Sequence, residues 1–229
     1  MIFKLIYPKW TKLKGQTTFN LPPHGPVVMA AALPDYVTVS FTDENVEEIN
    51  FDEECDFVGI SMMLTVQAKR GWEISEKFRK RGKKVIFGGI ATMLHAEETL
   101  QHADSVFLGE CEGKMEQVFG DFLKNDLKSL YNFMNQHPAI ELVGPARRDI
   151  LKHELYNHKG VQMVDLMHAS RGCKFSCYPC AVSYLGGRCF RPRPIDKVIE
   201  ELETIDNNRL FIVDNSLAQS KEWEMEFQF

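Results

Sequence analysis

Residues 169–194 read ASRGCKFSCYPCAVSYLGGRCFRPRP and hold four of the chain's six cysteines. Cys173, Cys177 and Cys180 stand in a C-x3-C-x2-C spacing. On a helix those positions would share one face, but the Pro179 ring clashes with the preceding turn and removes a hydrogen bond, so the stretch is expected to be a loop. Thiolates crowded onto one loop select zinc or an iron-sulfur cluster; a closed cubane takes four, so three leave one iron uncovered. Cys189 offers an alternative, a four-thiolate structural knot, although its C-x8-C distance is not a usual zinc knuckle and the Gly186-Gly187 turn suits close approach of a ligand. Cys55 and Cys111 read as ordinary buried small residues.

The flanks of this loop define its setting. Val161 to Met167 is an apolar run with strand character. Beyond the loop, Pro194 suits the first turn of a helix, and Ile195, Val198, Ile199, Leu202 and Ile205 recur at helical spacing. Asp196, Glu200, Glu201 and Glu203 are assigned to the wet face of that helix. Leu210 to Val213 is a short strand that ends in Asp214-Asn215. The order is therefore strand, cysteine loop, helix, strand.

Upstream, five apolar runs (Ile2 to Tyr7, Tyr36 to Phe41, Asp56 to Ser61, Lys84 to Phe87, Ser105 to Leu108) alternate with helical patterns. Those lie at Gly25 to Ala32, Val66 to Arg81, Ala96 to His102 and Gly113 to Asn125. This is the order of a doubly wound α/β domain with a parallel sheet. The third run ends in Gly59-Ile60-Ser61, the fourth in Gly88-Gly89 and the fifth in Gly109-Glu110. In open α/β sheets, ligands bind at the carboxyl ends of strands, where glycine lets a backbone approach, so these ends read as a flat ligand slot or as tight strand-to-helix turns. From about Leu127 the pattern loosens, which predicts a first domain over 1–126, a linker over 127–160 and a second domain over 161–229.

Composition narrows the function classes. The 229 residues are 44% hydrophobic, enough for a real core. No apolar run approaches the roughly 20 residues of a membrane span, and the start MIFKLIYP lacks a signal-peptide pattern, so a cytoplasmic protein without a membrane span is expected. In that compartment clustered cysteines point to a metal site rather than to disulfides. The formal charge of −5 and the lack of a long basic block argue against a nucleic-acid partner. The basic run from Lys77 to Lys84 falls at the end of a predicted helix, where cations favour the helix dipole. The seven histidines show no i, i+4 metal pair; His168, at the end of a strand, reads as a core or edge histidine.

The Cx3Cx2C loop after a strand, followed by Gly186-Gly187, Arg191-x-Arg193-Pro194 and an acidic amphipathic helix, resembles the radical S-adenosylmethionine (radical SAM) superfamily. The resemblance implies that Cys173, Cys177 and Cys180 hold a 4Fe-4S cluster whose free iron binds S-adenosylmethionine, and that reductive cleavage yields a 5′-deoxyadenosyl radical. Leu33-Pro34, Phe41-Thr42-Asp43-Glu44, Val58-Gly59-Ile60-Ser61, Phe87-Gly88-Gly89-Ile90 and Leu108-Gly109-Glu110 resemble the cobalamin-binding domain that precedes the radical SAM domain in one subclass, so the likeness covers nearly the whole chain. It implies that Ser61, Gly88, Gly89, Gly109 and Glu110 line the corrinoid and its nucleotide tail, and that Asp214 and Asn215 meet S-adenosylmethionine. It further implies methyl transfer or related C–C bond chemistry on a small-molecule or natural product, and a reductant such as flavodoxin or ferredoxin.

Three departures from that pattern stand out. The first strand is followed by Pro8-Lys9-Trp10-Thr11-Lys12-Leu13 instead of a D-x-H-x-x-G loop, so no lower histidine ligand to cobalt is expected. Pro179 holds the place before the third cysteine that is commonly aromatic, with Tyr178 one position early. A βα repeat needs about 30 residues, so the second domain has room for only part of a radical SAM βα barrel, which suggests either a truncated chain or a barrel completed by another chain. The alternative function is then a catalytically incomplete remnant that only binds corrinoid or cluster. Arg171, Arg191 and Arg193 are assigned either to the S-adenosylmethionine carboxylate and cluster charge or to a solvated basic rim.

Overall fold

The computed structural model describes residues 1–15, 19–217 and 219–227. Six parallel strands form one sheet: β1 (Ile2–Tyr7), β2 (Thr38–Asp43), β3 (Phe57–Ser61), β4 (Lys84–Gly88), β5 (Ser105–Leu108) and β6 (Leu130–Asn132), in the order β2-β1-β3-β4-β5-β6. The central strands are apolar almost throughout because both faces are covered, as parallel sheets require. Phe3, Leu5, Tyr7, Phe57, Ile86 and Phe107 face one core with α1 (His24–Ala31) and α5 (Met115–Leu123). Ile6, Val58, Ile60, Val85, Phe87 and Val106 face the other, under α2 (Ala68–Arg79), α3 (Ile90–Leu94) and α4 (Ala96–Leu100). Gly59 is explained by this packing: a Cβ there would come within 2.2 Å of the Phe3 ring.

The α/β class and five of the strands match the sequence reading, with β2 two residues later than expected. The helix expected over Ala96 to His102 stops at Leu100, and a separate turn of helix, Ile90–Leu94, precedes it across a break at His95. β6 lies inside the segment assigned as linker. Its three residues are too few to show a period, yet Tyr131 is 2% exposed and its hydroxyl donates to Asp121 Oδ2 at 2.8 Å. Ala146, Leu151 and Tyr156 also bury themselves in the first core, and the Tyr156 hydroxyl donates to Asp43 Oδ2 at 3.1 Å.

The remaining segment is built from short pieces. A hairpin of β7 (Asn157–His158) and β8 (Val161–Gln162) leads to β9 (Asp165–Met167), so the strand expected over Val161 to Met167 is broken in two. β10 (Ser170–Arg171) pairs antiparallel with β11 (Arg191–Pro192), and between them lie the cysteine loop and α6 (Val182–Leu185). α7 (Ile195–Glu203) crosses to β12 (Leu210–Ile212), which pairs parallel with β9; α8 (Lys221–Phe227) follows. Met167, Ala169, Val198 and Trp223 make the small core. No described helix is long and apolar enough to cross a membrane.

One assignment on α7 is corrected. Glu201 is 2% exposed, not on the wet face. Its Oε1 accepts from Arg148 Nη2 at 2.8 Å and its Oε2 from Arg193 Nη1 at 2.5 Å. Arg193, 1% exposed, also donates to the His168 carbonyl at 2.7 Å, so it is neither a solvated rim residue nor free for a ligand. An unpaired buried charge is costly; here one carboxylate is shared by two guanidiniums, which also donate to the His168 and Leu166 carbonyls.

Candidate functional site

The carboxyl ends of β1, β3, β4 and β5 lie side by side, and Ser61 is the register partner of Gly88. Gln67, fully buried, organises this edge: its amide donates to the Pro8 carbonyl at 2.5 Å, and its Oε1 accepts from the backbone N–H of Met63 and Leu64 at 2.9 and 2.8 Å. Sequence reasoning missed Gln67, because nothing in one short polar side chain announces a partner that is 59 positions away. The strand-end glycines differ in cause. At Gly89, with φ of 95°, a Cβ would sit 2.5 Å from the Met62 carbonyl oxygen, and at Gly109, with φ of 111°, 2.8 Å from Phe133 backbone. Both are demanded by tight turns. Gly88 borders open space instead, with no atom within 4 Å of a Cβ position. Met63, Val66, Ile90 and Leu94, in the segments that follow β3 and β4, are large, apolar and exposed.

The cysteine loop is a loop, as Pro179 requires, with a turn closed by Cys180 N–H to the Cys177 carbonyl at 2.9 Å. Cys173 is half-buried; Cys177 and Cys180 are exposed. Among the described residues, no group of three or more His, Cys, Asp or Glu side chains is gathered as a metal site. The donor set itself fits a cluster: three soft thiols in eight positions, two at the surface, on a loop whose ends are pinned. Gly172, with φ of 73°, lies where a Cβ would be 2.2 Å from the Cys189 carbonyl oxygen, so the base of the loop closes backbone on backbone. Phe175, Tyr178 and Tyr184 on this loop are exposed. By contrast, Cys55 is buried as expected and Cys111 half-buried, and the desolvation of each raises its thiol pKa above the usual value.

The loop's ends meet the sheet through charge. Arg171 Nη1 donates to Glu110 Oε2 at 2.9 Å and to Glu112 Oε2 at 3.1 Å, and its Nη2 donates to Glu112 Oε1 at 2.6 Å. Arg191 Nη1 donates to Glu110 Oε2 at 3.1 Å, and its Nη2 to Glu110 Oε1. His137 Nδ1 lies 3.3 Å from Glu110 Oε1. Burial acts to raise the Glu110 pKa, but the Arg191 and Arg171 guanidiniums outweigh it and hold the carboxyl below its ordinary range. Glu110, assigned from resemblance to the corrinoid, is thus engaged by Arg171 and Arg191 of the second segment, and those two arginines by the carboxylates that follow β5 rather than by a solvated rim.

Asp214 stands at the end of β12 and braces the loop's entry: it accepts from Ala169 N–H at 2.8 Å and from the Ser170 hydroxyl. Burial raises its pKa despite those bonds. Asn215 beside it is exposed. His168 meets His24 of α1 edge to face, with ring centroids 4.5 Å apart. Burial, then the nearby Arg171, lowers His168 to about 4, and burial holds His24 well below its usual value. Both rings are therefore neutral at pH 7.

The fold and site define a class: a parallel α/β sheet carrying, at the carboxyl edge of its strands, a three-thiol loop within a β-loop-α-β segment. No family profile matches the chain. Bacteriochlorophyllide d C-8(2)-methyltransferase of Chlorobaculum tepidum is 29% identical over 180 residues, covering 76% of this chain and 39% of that enzyme. Bacteriochlorophyllide d C-12(1)-methyltransferase of the same organism is 27% identical over 180 residues, covering 77% and 38%. The chain therefore spans about two fifths of the length of these curated relatives. Among solved structures, the cobalamin-dependent S-adenosylmethionine radical enzyme OxsB, with aqua-cobalamin and S-adenosylmethionine bound, superposes with a TM-score of 0.69 at 17% identity over 94% of this chain and 34% of its own. The radical S-adenosylmethionine methyltransferase TsrM of Kitasatospora setae, with cobalamin and a [4Fe-4S] cluster bound, gives 0.62 at 14% identity over 94% and 48%. These two likenesses show a shared fold.

Proposed function

We propose that this chain carries the cofactor-binding parts of a cobalamin-dependent radical SAM methyltransferase. Residues 1–126 would hold a corrinoid, 127–160 would join the parts, and 161–229 would form the opening βαβ unit of a radical SAM barrel. The observation that carries the reading is the pinning of the three-thiol loop, through Arg171, Arg191 and Glu110, to the edge of the sheet where Gly88 leaves open space. Cys173, Cys177 and Cys180 would hold a 4Fe-4S cluster, which supplies the electron for reductive cleavage of S-adenosylmethionine, while a corrinoid supplies the methyl carrier.

This chain's own residues have narrower tasks. Ser61 offers a hydroxyl beside the opening at Gly88, where the resemblance places the corrinoid tail. Met63, Val66, Ile90 and Leu94 would offer exposed apolar surface to a broad ligand, since exposed apolar side chains mark contact surfaces when they gather. Asp214 orients the first residues of the cysteine loop through Ala169 and Ser170, and Asn215 and Tyr178 remain exposed for contact with S-adenosylmethionine. Gly89 and Gly109 hold the turns that keep the slot flat.

The reading is tested by anaerobic reconstitution with iron and sulfide, followed by desalting with hydroxocobalamin. Retention of both iron and corrinoid is expected. Gly88→Leu should keep the fold, since its side chain enters open space, and lose the corrinoid alone; Cys177→Ala should lose the iron alone. A colourless protein carrying zinc, or Gly88→Leu retaining corrinoid at the wild-type level, would overturn it. A second reading is binding of corrinoid or cluster without turnover. Cleavage of S-adenosylmethionine under reductant separates the two.

A further inference from the structure

We propose that Glu110 is a positioning residue: it fixes the cysteine loop against the sheet by neutralising two arginines that oppose each other across the loop's base. Arg171 and Arg191 are direct register partners in the antiparallel pair of β10 and β11. Like charges directly opposite on neighbouring strands repel, and here the guanidiniums are also largely shielded from water, at 13% and 14% side-chain exposure. That pair is only two residues long on each side, so its few backbone bonds are poorly matched to such a repulsion.

Glu110 resolves the conflict from outside the loop. Its two oxygens accept from both guanidiniums, and charge-assisted bonds of this kind are about twice as strong as neutral ones. The two arginines are not equal. Arg171 has a second, bidentate partner in Glu112, whereas among the described residues Glu110 is the carboxylate that pairs with Arg191. Loss of Glu110 therefore strands Arg191 and exposes it to Arg171, while loss of Glu112 leaves Arg171 still held. His137 completes the arrangement, with Nδ1 against Glu110 and Nε2 only 2.6 Å from where a Cβ on Gly187 would stand, at the far side of the same loop. Glu110 directly follows Gly109, whose backbone is packed on Phe133, so the carboxylate is presented from a rigid turn.

The loop's cofactor role rests on the function proposed above; the positioning does not. The test is amide hydrogen exchange on the full chain, comparing wild type with Glu110→Gln, Glu112→Gln, Arg191→Gln and the double variant Glu110→Gln/Arg191→Gln, alongside iron uptake and hydroxocobalamin affinity. Glu110→Gln should speed exchange at residues 170–173 and 189–193 roughly tenfold or more, as expected when a buried charge is left without its partner. Glu112→Gln should do less. The double variant should return to within about threefold of wild type, because it removes the repulsion together with its neutraliser, a non-additivity that loss of a mere contact does not give. Iron uptake should fall in Glu110→Gln and recover in the double variant.

A double variant as loose as or looser than Glu110→Gln would overturn the proposal. So would normal exchange in Glu110→Gln with weakened hydroxocobalamin binding, which would make Glu110 a cofactor contact. Should Glu110→Gln unfold the sheet as well, a folded double variant still upholds the proposal and an unfolded one rejects it. Wild type that binds neither iron nor corrinoid, with the exchange order intact, rejects the cofactor reading and supports the positioning.

Discussion

The first 132 residues and the segment from 157 onward are held together by different physics. The sheet has two large apolar layers, with Phe3, Ile6, Phe57, Val58, Val85, Phe87 and Val106 all at 0% exposure. The later segment has four buried apolar residues at its centre and leaves Phe211 and Met225 exposed. Beside the packing of Met163 on the first core and of His168 on His24, two charge groups attach it: Glu201 and Arg193 with Arg148 of the intervening stretch, and Arg171 and Arg191 with Glu110 and Glu112 of the sheet. Apolar burial is tolerant of direction, whereas paired charges fix one geometry. A loop held at a set orientation to the sheet edge gains more from the second.

The sharpest way to break the comparison is to injure each part by its own means. Phe3→Ala removes a ring that packs on Phe57 and Phe119 and fills the space over Gly59. It should cost about 4 kcal/mol and unfold the whole chain in one step, read by chemical denaturation with near-ultraviolet circular dichroism. Glu201→Ala leaves two buried guanidiniums without their carboxylate and should cost about 3 kcal/mol. Here, though, exchange should rise in residues 161–227 while the amides of β1, β3 and β4 stay protected. Equal loosening of both parts would show that the charges hold more than the attachment.

Acidification should act more gently and on the same side. The folded value of His168, about 4, lies below the ordinary 6.5, so as pH falls the unfolded chain takes up the proton first. Stability of the attached segment should therefore decline from about pH 6.5 and level off near 4. His24, also lowered, adds in the same direction. Glu110 contributes stability above the ordinary carboxyl value of 4.5 that is lost as pH falls through its lower folded value. Asp214, raised by burial, opposes that last loss. Exchange at residues 165–171 against pH checks this, and His168→Gln should flatten the upper part of the curve.

What could be seen in the sequence follows the same division. The strands of the sheet were legible because burial on both faces writes near-continuous apolar runs, and the strand-end glycines stood out beside them. Only the structure separates Gly88, which faces open space, from Gly89 and Gly109, which serve turns. β6 escaped because a three-residue strand held by one tyrosine has no period. Glu201 was misplaced because an amphipathic pattern assigns every acid to water, and its partner Arg148 lies 53 positions away. Glu110 meets Arg171 and Arg191 across 61 and 81 positions, contacts that no local pattern carries.

The central claim is that three thiolates of the loop hold a cluster with one open iron. Electron paramagnetic resonance of the anaerobically reconstituted, reduced chain, recorded with and without S-adenosylmethionine, addresses it directly. A cluster signal that changes on adding S-adenosylmethionine, and that disappears in Cys173→Ala, Cys177→Ala and Cys180→Ala but survives in Cys189→Ala, is the expected result. A signal indifferent to S-adenosylmethionine, or one that needs Cys189 as a fourth ligand, would contradict it.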